Sequence, residues 1–551
     1  MPSSDSEEAL SNVQVPPTEL ENPDDVIKRV ASFWRVGKRF RERFGKNWRR
    51  FWRLYMGDHW DVPAPLGEVK PKTNLVFSTI ETLTSTVTAN KPRMIIVARE
   101  PEGTQLAAKI QKYLDYIWDS ADMDFKLPIL AREMMIVGNA FARVFFNELT
   151  DELDIDIVPA AWVAVEPAAL RLEDAQWIIV SRPYSYDKIR MLYPDETQDL
   201  IAGIDDKAEE LFPPHLQGFE GMRVISPVAT TDGSSVTVYS SDAKSKVEEY
   251  GNMVRLTEAW FKKEKGLWEY LLIANNVLIK REDFELSRPP LVHFGLYRTA
   301  FALWAVGDVQ QIYEKQLEIN KRSQQILEWI KMSANPAVAI APEAQFEGDT
   351  RIRAGTILQV HPDLIRWLSP PNMPSELITD VEMNKRDIEQ ILGNPEILQG
   401  IHPKGVESGK ALQNLYDFAN VRVLARVRVI EAGLKELAEI LIENLAKYYP
   451  RNLLPKKIMT FAGATPEYVD LTEADVAQLQ NYEMVAQIAG GSMLPTRDVE
   501  ERELVVALFQ LGLLSGEEVL KHSGLDNWVE LVRQYQELKK AQAQLAQQQQ
   551  T

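Results

Sequence analysis

Hydrophobic spacing divides the chain into segments of different character. From Ile27 to Tyr55, Val30, Phe33, Phe40, Phe44, Trp48, Phe51 and Tyr55 recur at steps of three, four or seven. Arg35, Lys38, Arg39, Arg41, Arg43, Arg49, Arg50 and Arg53 fall between them. This spacing predicts a helix with an aromatic face and a basic face. Such a helix would suit a membrane surface, a nucleic-acid arm, or docking of its aromatic stripe on the chain's own core; docking is favoured. The preceding acidic residues 1–25, rich in Ser and Pro and poor in aromatics, bury little and are expected to be disordered.

Helices are expected over Asn74 to Ala89, Gln105 to Ser120 and Leu127 to Val137, the last ending at Gly138, which lacks the Cβ that crowds a helix C-terminus. The run from Ala140 to Pro167 alternates and is rich in β-branched residues, as in strand, turn and strand. Asp151, Glu152, Asp154 and Asp156 lie at that turn and on one strand face, where a solvated hairpin is preferred to a cation site. A Gly/Ser/Thr/Asp-rich stretch within residues 205–250 predicts a loop or hairpin insertion. The segment from Val254 to Glu282 then predicts a meander turning at Lys265-Gly266 and Asn275-Asn276. Strands and helices do not alternate regularly, so this half is α+β.

Val306 to Ala334 combines Val309, Ile312, Leu317, Ile326 and Ile330 with Gln310, Gln311, Gln316, Asn320, Gln324 and Gln325, and stops at Asn335-Pro336. A helix this polar requires neighbours other than a hydrophobic core, and identical helices packed side by side would supply them. Residues 336–374, with short β-type runs, Gly348, Gly355 and a Pro-Pro pair, predict a small α/β insertion at the tip of a helical hairpin. Ser375 to Leu392 reads as the return helix, capped by Ser375. Gly393 to Gly409, with four glycines and two prolines, reads as a loop. A long amphipathic helix follows, along Leu412, Leu415, Ala419, Val423, Val427, Ile430, Leu434, Leu437, Leu441 and Leu445. Beyond it come a strand at Lys456 to Gly463, helices over Thr472 to Ala489, Thr496 to Leu511 and Ser515 to Lys521, and a helix from Trp528 that dissolves into glutamine-rich sequence.

Composition narrows the chemistry. A chain of 551 residues, 45% hydrophobic, builds more than one core. It has no cysteine, which excludes disulfides and thiol chemistry. Without a secretory-type N-terminus or an apolar run of about 18 residues, it is expected to be soluble and cytosolic when made. A net charge of −18 argues against a protein that coats nucleic acid, and suits a wall past which DNA slides. Gly405 to Lys410 resembles a phosphate-binding loop but has three residues between its glycines instead of four, and Ala411 follows the lysine. The six histidines show no paired ligand spacing, and no Gly-x-Ser-x-Gly elbow occurs. No enzyme, metal or cofactor is expected.

The order of these segments resembles the portal protein family of tailed double-stranded DNA bacteriophages, the head–tail connector, over roughly residues 45–520. Particular stretches carry the likeness: Phe51 to Trp60, Asn74-Leu75-Val76 with Asn90-Lys91-Pro92, Val137 to Ala140, Gln316 to Asn320 with Asn335-Pro336, and Glu407 to Leu412. The resemblance implies a mostly helical α+β chain assembled as a dodecameric ring. It implies a wing at 26–305 and 410–449, stem helices at 306–335 and 375–392, a clip at 336–374, a tunnel loop at 393–409 and a crown at 450–530. Residues 1–25 and 531–551 would be an acidic and a glutamine-rich tail. Double-stranded DNA would pass the tunnel loop near His402 and Lys404. Glu347, Arg351 and Arg353 of the clip would face the terminase large subunit and later head-completion (adaptor) proteins. Major capsid and scaffolding proteins would be further partners, with assembly in the host cytoplasm, location at the portal vertex of the virion, and no membrane. Arg422, Arg426 and Arg428 would pair with acidic residues across subunits. A scaffolding protein without a channel and a nucleic-acid-processing enzyme are the alternatives.

Overall fold

The computed structural model describes residues 22–60, 70–148, 150–202, 228–229, 235–236, 253–263, 266–284, 286–334, 337–340, 365–368, 372–393, 409–447, 449, 454, 456–462, 465–479, 481–488, 493, 505 and 509–510. The basic, aromatic segment forms two helices, α1 (Pro23–Gly45) and α2 (Trp48–Tyr55), so the one continuous helix expected is broken between them. Helix α3 (Leu75–Val87) begins at the N-cap Asn74, whose side chain accepts from the Phe77 N–H. It is followed by β1 (Met94–Ala98), α4 (Thr104–Ser120) and α5 (Met123–Val137). At the end of α5, Gly138 takes φ +90°, and a Cβ there would lie 2.5 Å from the Val306 backbone carbon.

Strands β2 (Asn139–Asn147) and β3 (Glu152–Pro159) make the expected hairpin. The acidic residues around its turn are not merely solvated. Glu152 accepts from Tyr116 and Lys456, Asp154 from Lys126 and Asp156 from Arg182. Next come β4 (Val163–Val165), β5 (Trp177–Ser185), the short helix α6 (Tyr186–Leu192), and the small strands β6 (Val228–Ala229) and β7 (Ser235–Val236), which pair within the predicted insertion. The meander is β8 (Met253–Lys262), β9 (Trp268–Ala274) and β10 (Val277–Phe284), with Asn275 at φ +49° in its second turn. It extends into an antiparallel five-stranded sheet of order β10-β9-β8-β5-β4. Strand β11 (Leu291–Gly295) completes a three-stranded sheet, β11-β2-β3.

Helix α1 docks on the five-stranded sheet, as favoured from its stripe. Val26, Val30, Phe33 and Trp34 pack on Trp177, Ile179, Ala259, Leu271 and Ile273, each large apolar side chain contributing about 1.5–3 kcal/mol on full burial. Two of its arginines are drawn in: Arg29 pairs with Glu269 at 3.0 Å, and Arg41 donates to the Val163 carbonyl. Between the sheets, buried Arg143 of β2 pairs with Glu258 of β8.

The small pair β12 (Tyr297–Thr299) and β13 (Ala302–Val306) leads into α7 (Asp308–Ala334), 27 residues and about 40 Å long. Strands β14 (Ala337–Ile340) and β15 (Ile365–Leu368) pair antiparallel beyond it, and α8 (Glu376–Leu392) returns along α7. Ser375 makes no side-chain cap, contrary to expectation: its backbone is already helical and its hydroxyl donates to the Glu376 carboxylate. Helix α9 (Gly409–Lys447) runs 39 residues, with Val423, Val427, Ile430, Leu434, Leu437, Leu441 and Leu445 buried as their spacing predicts.

The C-terminal part departs from the sequence reading. Strand β16 (Lys456–Ala462) occurs where expected but pairs with β17 (Thr465–Leu471). The helix expected over Thr472 to Ala489 is only α10 (Glu473–Gln478), opened by a Thr472/Asp475 capping box. Its expected second half is β18 (Met484–Ile488), paired antiparallel with β1. That ladder satisfies the backbone groups of β1, an otherwise unpaired strand some 390 residues earlier, and buries Ile96 and Ala486. The N-terminal tail and most of the later C-terminal elements lie outside the described residues.

Candidate functional site

The antiparallel hairpin α7/α8 meets α9 at its base, and polar side chains there are buried within one chain. Asp308, the first residue of α7, is fully buried and accepts from Arg426 Nε at 3.0 Å, from Arg426 Nη2 at 2.7 Å and from the Tyr297 hydroxyl at 2.8 Å. Arg426 Nη2 also donates to the Leu392 carbonyl at 3.0 Å. One turn earlier on α9, Arg422 donates to the carbonyls of Gln390 and Ile391. Thus an anion sits at the N-terminus of α7 and two cations at the C-terminus of α8, each matching the helix dipole. Gly393 closes α8 at φ +65°, and a Cβ there would lie 2.5 Å from Arg422 Cδ. Burial opposes the Arg426 charge, yet Asp308 holds its pKa above the ordinary guanidinium value. Burial first, and then Asp308, push the Tyr297 hydroxyl up to about 12. An open groove of about 670 Å³ lies over this junction, lined by Tyr297, Asp387, Ile391, Arg422 and Arg426 among others.

A second lock ties α7 to the N-terminal segment. Gln316 Nε2 donates to the Thr73 carbonyl at 2.7 Å, and its Oε1 accepts from Leu75 N–H at 3.1 Å. Asn320 Nδ2 donates to His59 Nδ1 at 2.8 Å, while His59 Nε2 donates to the Leu54 carbonyl at 2.9 Å. His59 is therefore the neutral Nε2–H tautomer, and burial holds its pKa below the usual imidazole value. Asn74 Nδ2 reaches the Tyr55 carbonyl, the Tyr55 hydroxyl reaches Glu81, and Glu81 takes a bidentate pair from Arg132.

Beyond Asn320 the surroundings change. Among the described residues, none from Lys321 to Ala334 is fully buried. Lys315 bridges to Asn384 and Asp387, and Arg322 to Asp380. Ile330, Met332, Ile378 and Met383 remain about half exposed. The polar character of α7 thus has two causes. In its first half Asp308, Gln316 and Asn320 are buried and pair within the same chain; in the second half no polar side chain is buried, and Arg322 pairs with Asp380 at the surface. Arg426 is likewise buried and paired within the chain, with Asp308 and not across subunits as expected, whereas the exposed Arg422 bonds to backbone carbonyls. His402, Lys404, Glu347, Arg351 and Arg353 lie outside the described residues.

The sequence reading missed Asp308 and Tyr297, although an acidic residue opening a long helix was a visible cue. Gln316 and Asn320 were visible as an i, i+4 polar pair, but not as an intrachain lock. Nothing in these locks is arranged around a reacting atom: the donors and acceptors satisfy one another.

The phage P22-like portal protein family matches the sequence over residues 46–551. The chain belongs to that family. It is a phage portal protein, and both locks fall within the matched residues. No curated protein matches the sequence significantly. Among solved structures, the portal chain is similar to a chain in the virion of a native gene transfer agent particle, at 11% identity, 86% coverage of this chain, 91% of that chain and a TM-score of 0.39. A chain in the neck of the native particle, computed with C12 symmetry, gives 11%, 87%, 93% and 0.39. One in the neck of the empty particle, computed with C6 symmetry, gives 12%, 80%, 87% and 0.38. The family match alone carries the assignment. Among the described residues, no helix of this portal protein is long and apolar enough to cross a membrane.

Proposed function

We propose that this portal protein acts as a ring, twelve copies surrounding a channel for double-stranded DNA at one capsid vertex during packaging and ejection. The uncovered outer half of the α7/α8 hairpin is the observation that carries this reading. A projecting hairpin with half-exposed Ile330, Met332, Ile378 and Met383 gains burial when identical hairpins stand beside it, and a heterologous contact of this kind generates a ring when its rotation closes.

In this reading residues 306–335 and 375–392 are the stem, 26–305 and 410–449 the wing, 336–374 the clip and 450–530 the crown. The two hairpin helices together carry nine Asp or Glu against six Lys or Arg, a net charge of −3 that favours sliding over capture of DNA. The loop 393–409 would bring His402 and Lys404 to the duplex. Glu347, Arg351 and Arg353 would receive the terminase large subunit and then head-completion proteins, while the outer surface contacts capsid and scaffolding proteins. The chain itself carries out no reaction; ATP hydrolysis belongs to terminase.

Electron microscopy of the purified protein tests this directly. Rings with a central opening and twelvefold symmetry are expected, and a monomer at all concentrations would refute the proposal. The clip assignment predicts that Arg351→Glu/Arg353→Glu lowers terminase binding without disturbing ring formation.

A further inference from the structure

Neither the hairpin nor the channel uses the basic face of the N-terminal helices. Residues 23–55 hold eleven Lys or Arg and three Asp or Glu, net +8 in a chain of net −18. With about 100° per residue, Lys28, Arg35, Arg39 and Arg43 fall within about 80° of one another on α1, opposite the buried Val30, Phe33 and Gly37. Lys46, Arg49 and Arg50 continue the exposed cations into α2. Among the described residues, Arg35, Arg39, Lys46 and Arg50 have no carboxylate partner, and the exposed Glu42 faces Lys38 at 3.7 Å.

We propose that this ridge is a binding surface for duplex DNA, held through its phosphates and separate from the channel. Arg35, Arg39 and Arg43 repeat at about 6 Å along a helix fixed by its docked face, a linear array of cations suited to a linear polyanion. Arginine also presents a planar fork of donors that matches phosphate. A membrane is disfavoured because the apolar face such a helix would insert is already buried on the sheet. A protein partner is disfavoured because α1 and α2 expose no large apolar side chain to anchor one. Elsewhere the chain nets −26, so the long-range field favours this ridge over the rest of the surface.

The test measures binding of a mixed-sequence duplex of about 30 base pairs to the full-length protein by fluorescence anisotropy across a salt series. Arg35→Gln/Arg39→Gln/Arg43→Gln/Arg50→Gln is compared with Arg171→Gln/Lys188→Gln/Arg190→Gln/Lys457→Gln, which removes four exposed cations elsewhere. The ridge variant is expected to bind at least about tenfold more weakly at low salt, with a log–log salt slope reduced by about 3–4, while the control stays near wild type. Equal loss in both variants, or loss in neither, would overturn the proposal. So would loss of assembly by the ridge variant with its DNA affinity unchanged, since the ridge would then serve a neighbouring chain. Imaging of the same samples reads the ring proposal separately: wild-type monomers that bind duplex through the ridge would sustain this inference and defeat that one.

Discussion

The two halves of α7 are nearly alike in composition and opposite in circumstance. Asp308 to Asn320 has eight polar residues in 13, and Lys321 to Ala334 has eight in 14. In the first half Asp308, Gln316 and Asn320 are buried and paired with Arg426, Thr73, Leu75 and His59. In the second, polar and apolar side chains alike stay at least partly open to solvent. The difference teaches that polarity on a long helix does not reveal where its partners are. A buried amide must pair within the fold, whereas an exposed one leaves the question to the assembly.

The largest effect that would break this comparison lies at the base. Asp308→Ala leaves Arg426 buried and unpaired, and should cost about 3–5 kcal/mol in chemical denaturation; Asp308→Leu/Arg426→Leu should cost less than the single change, because no charge is stranded. If Asp308→Ala is as mild as a surface change, the base is not locked.

Next comes a pH effect in the body. Glu133 of α5 is buried and receives hydrogen bonds from the Ala160 N–H and the Trp52 side chain, and burial raises its pKa from 4.5 to about 7. A folded-state value above the unfolded one makes its stabilising contribution complete below about pH 4.5 and progressively lost as pH rises through about 7. Glu133→Gln should therefore flatten stability between pH 5 and 8, and gain up to about 3 kcal/mol on the wild type at pH 8. Parallel pH–stability curves for the two proteins would refute this.

Gln316→Leu should cost about 1 kcal/mol, by removing the amide's hydrogen bonds to the Thr73 carbonyl and the Leu75 N–H, which keep a 3.0 Å bond to each other. The smallest effect on folding is expected from Ile330→Ser/Met332→Ser/Met383→Ser. Each exposed change should stay within about 0.5 kcal/mol for the subunit, while ring assembly weakens about tenfold or more in mass photometry. A large folding penalty with assembly unchanged would reverse the contrast between the halves.

Much of the local structure was legible. The stripe from Val423 to Leu445 predicted the buried face of α9, and the aromatic steps predicted the docked face of α1. Asn74, Gly138 and the Asn275-Asn276 turn were readable because caps and tight turns depend on neighbours only a few residues away. The stretch from Met484 to Ile488 was misread as helix. Its short apolar pattern fits either state, and only the distant strand Met94–Ala98 decides between them. The site was less legible than the fold. Gln316 and Asn320 were visible as polar residues, but their partners lie some 240 to 260 residues earlier.

By itself, then, the sequence determined the elements whose energetics are local: helices by the spacing of their apolar residues, turns by backbone chemistry, and the isolation of a basic stretch in an acidic chain. Only the tertiary structure decided that α1 spends its aromatic face on the chain's own sheet, that Asp308 and Arg426 face each other across 118 positions, and that the outer half of α7 is left open. Burial and charge pairing depend on distance in space, and a linear pattern carries that distance only when both partners lie on the same element.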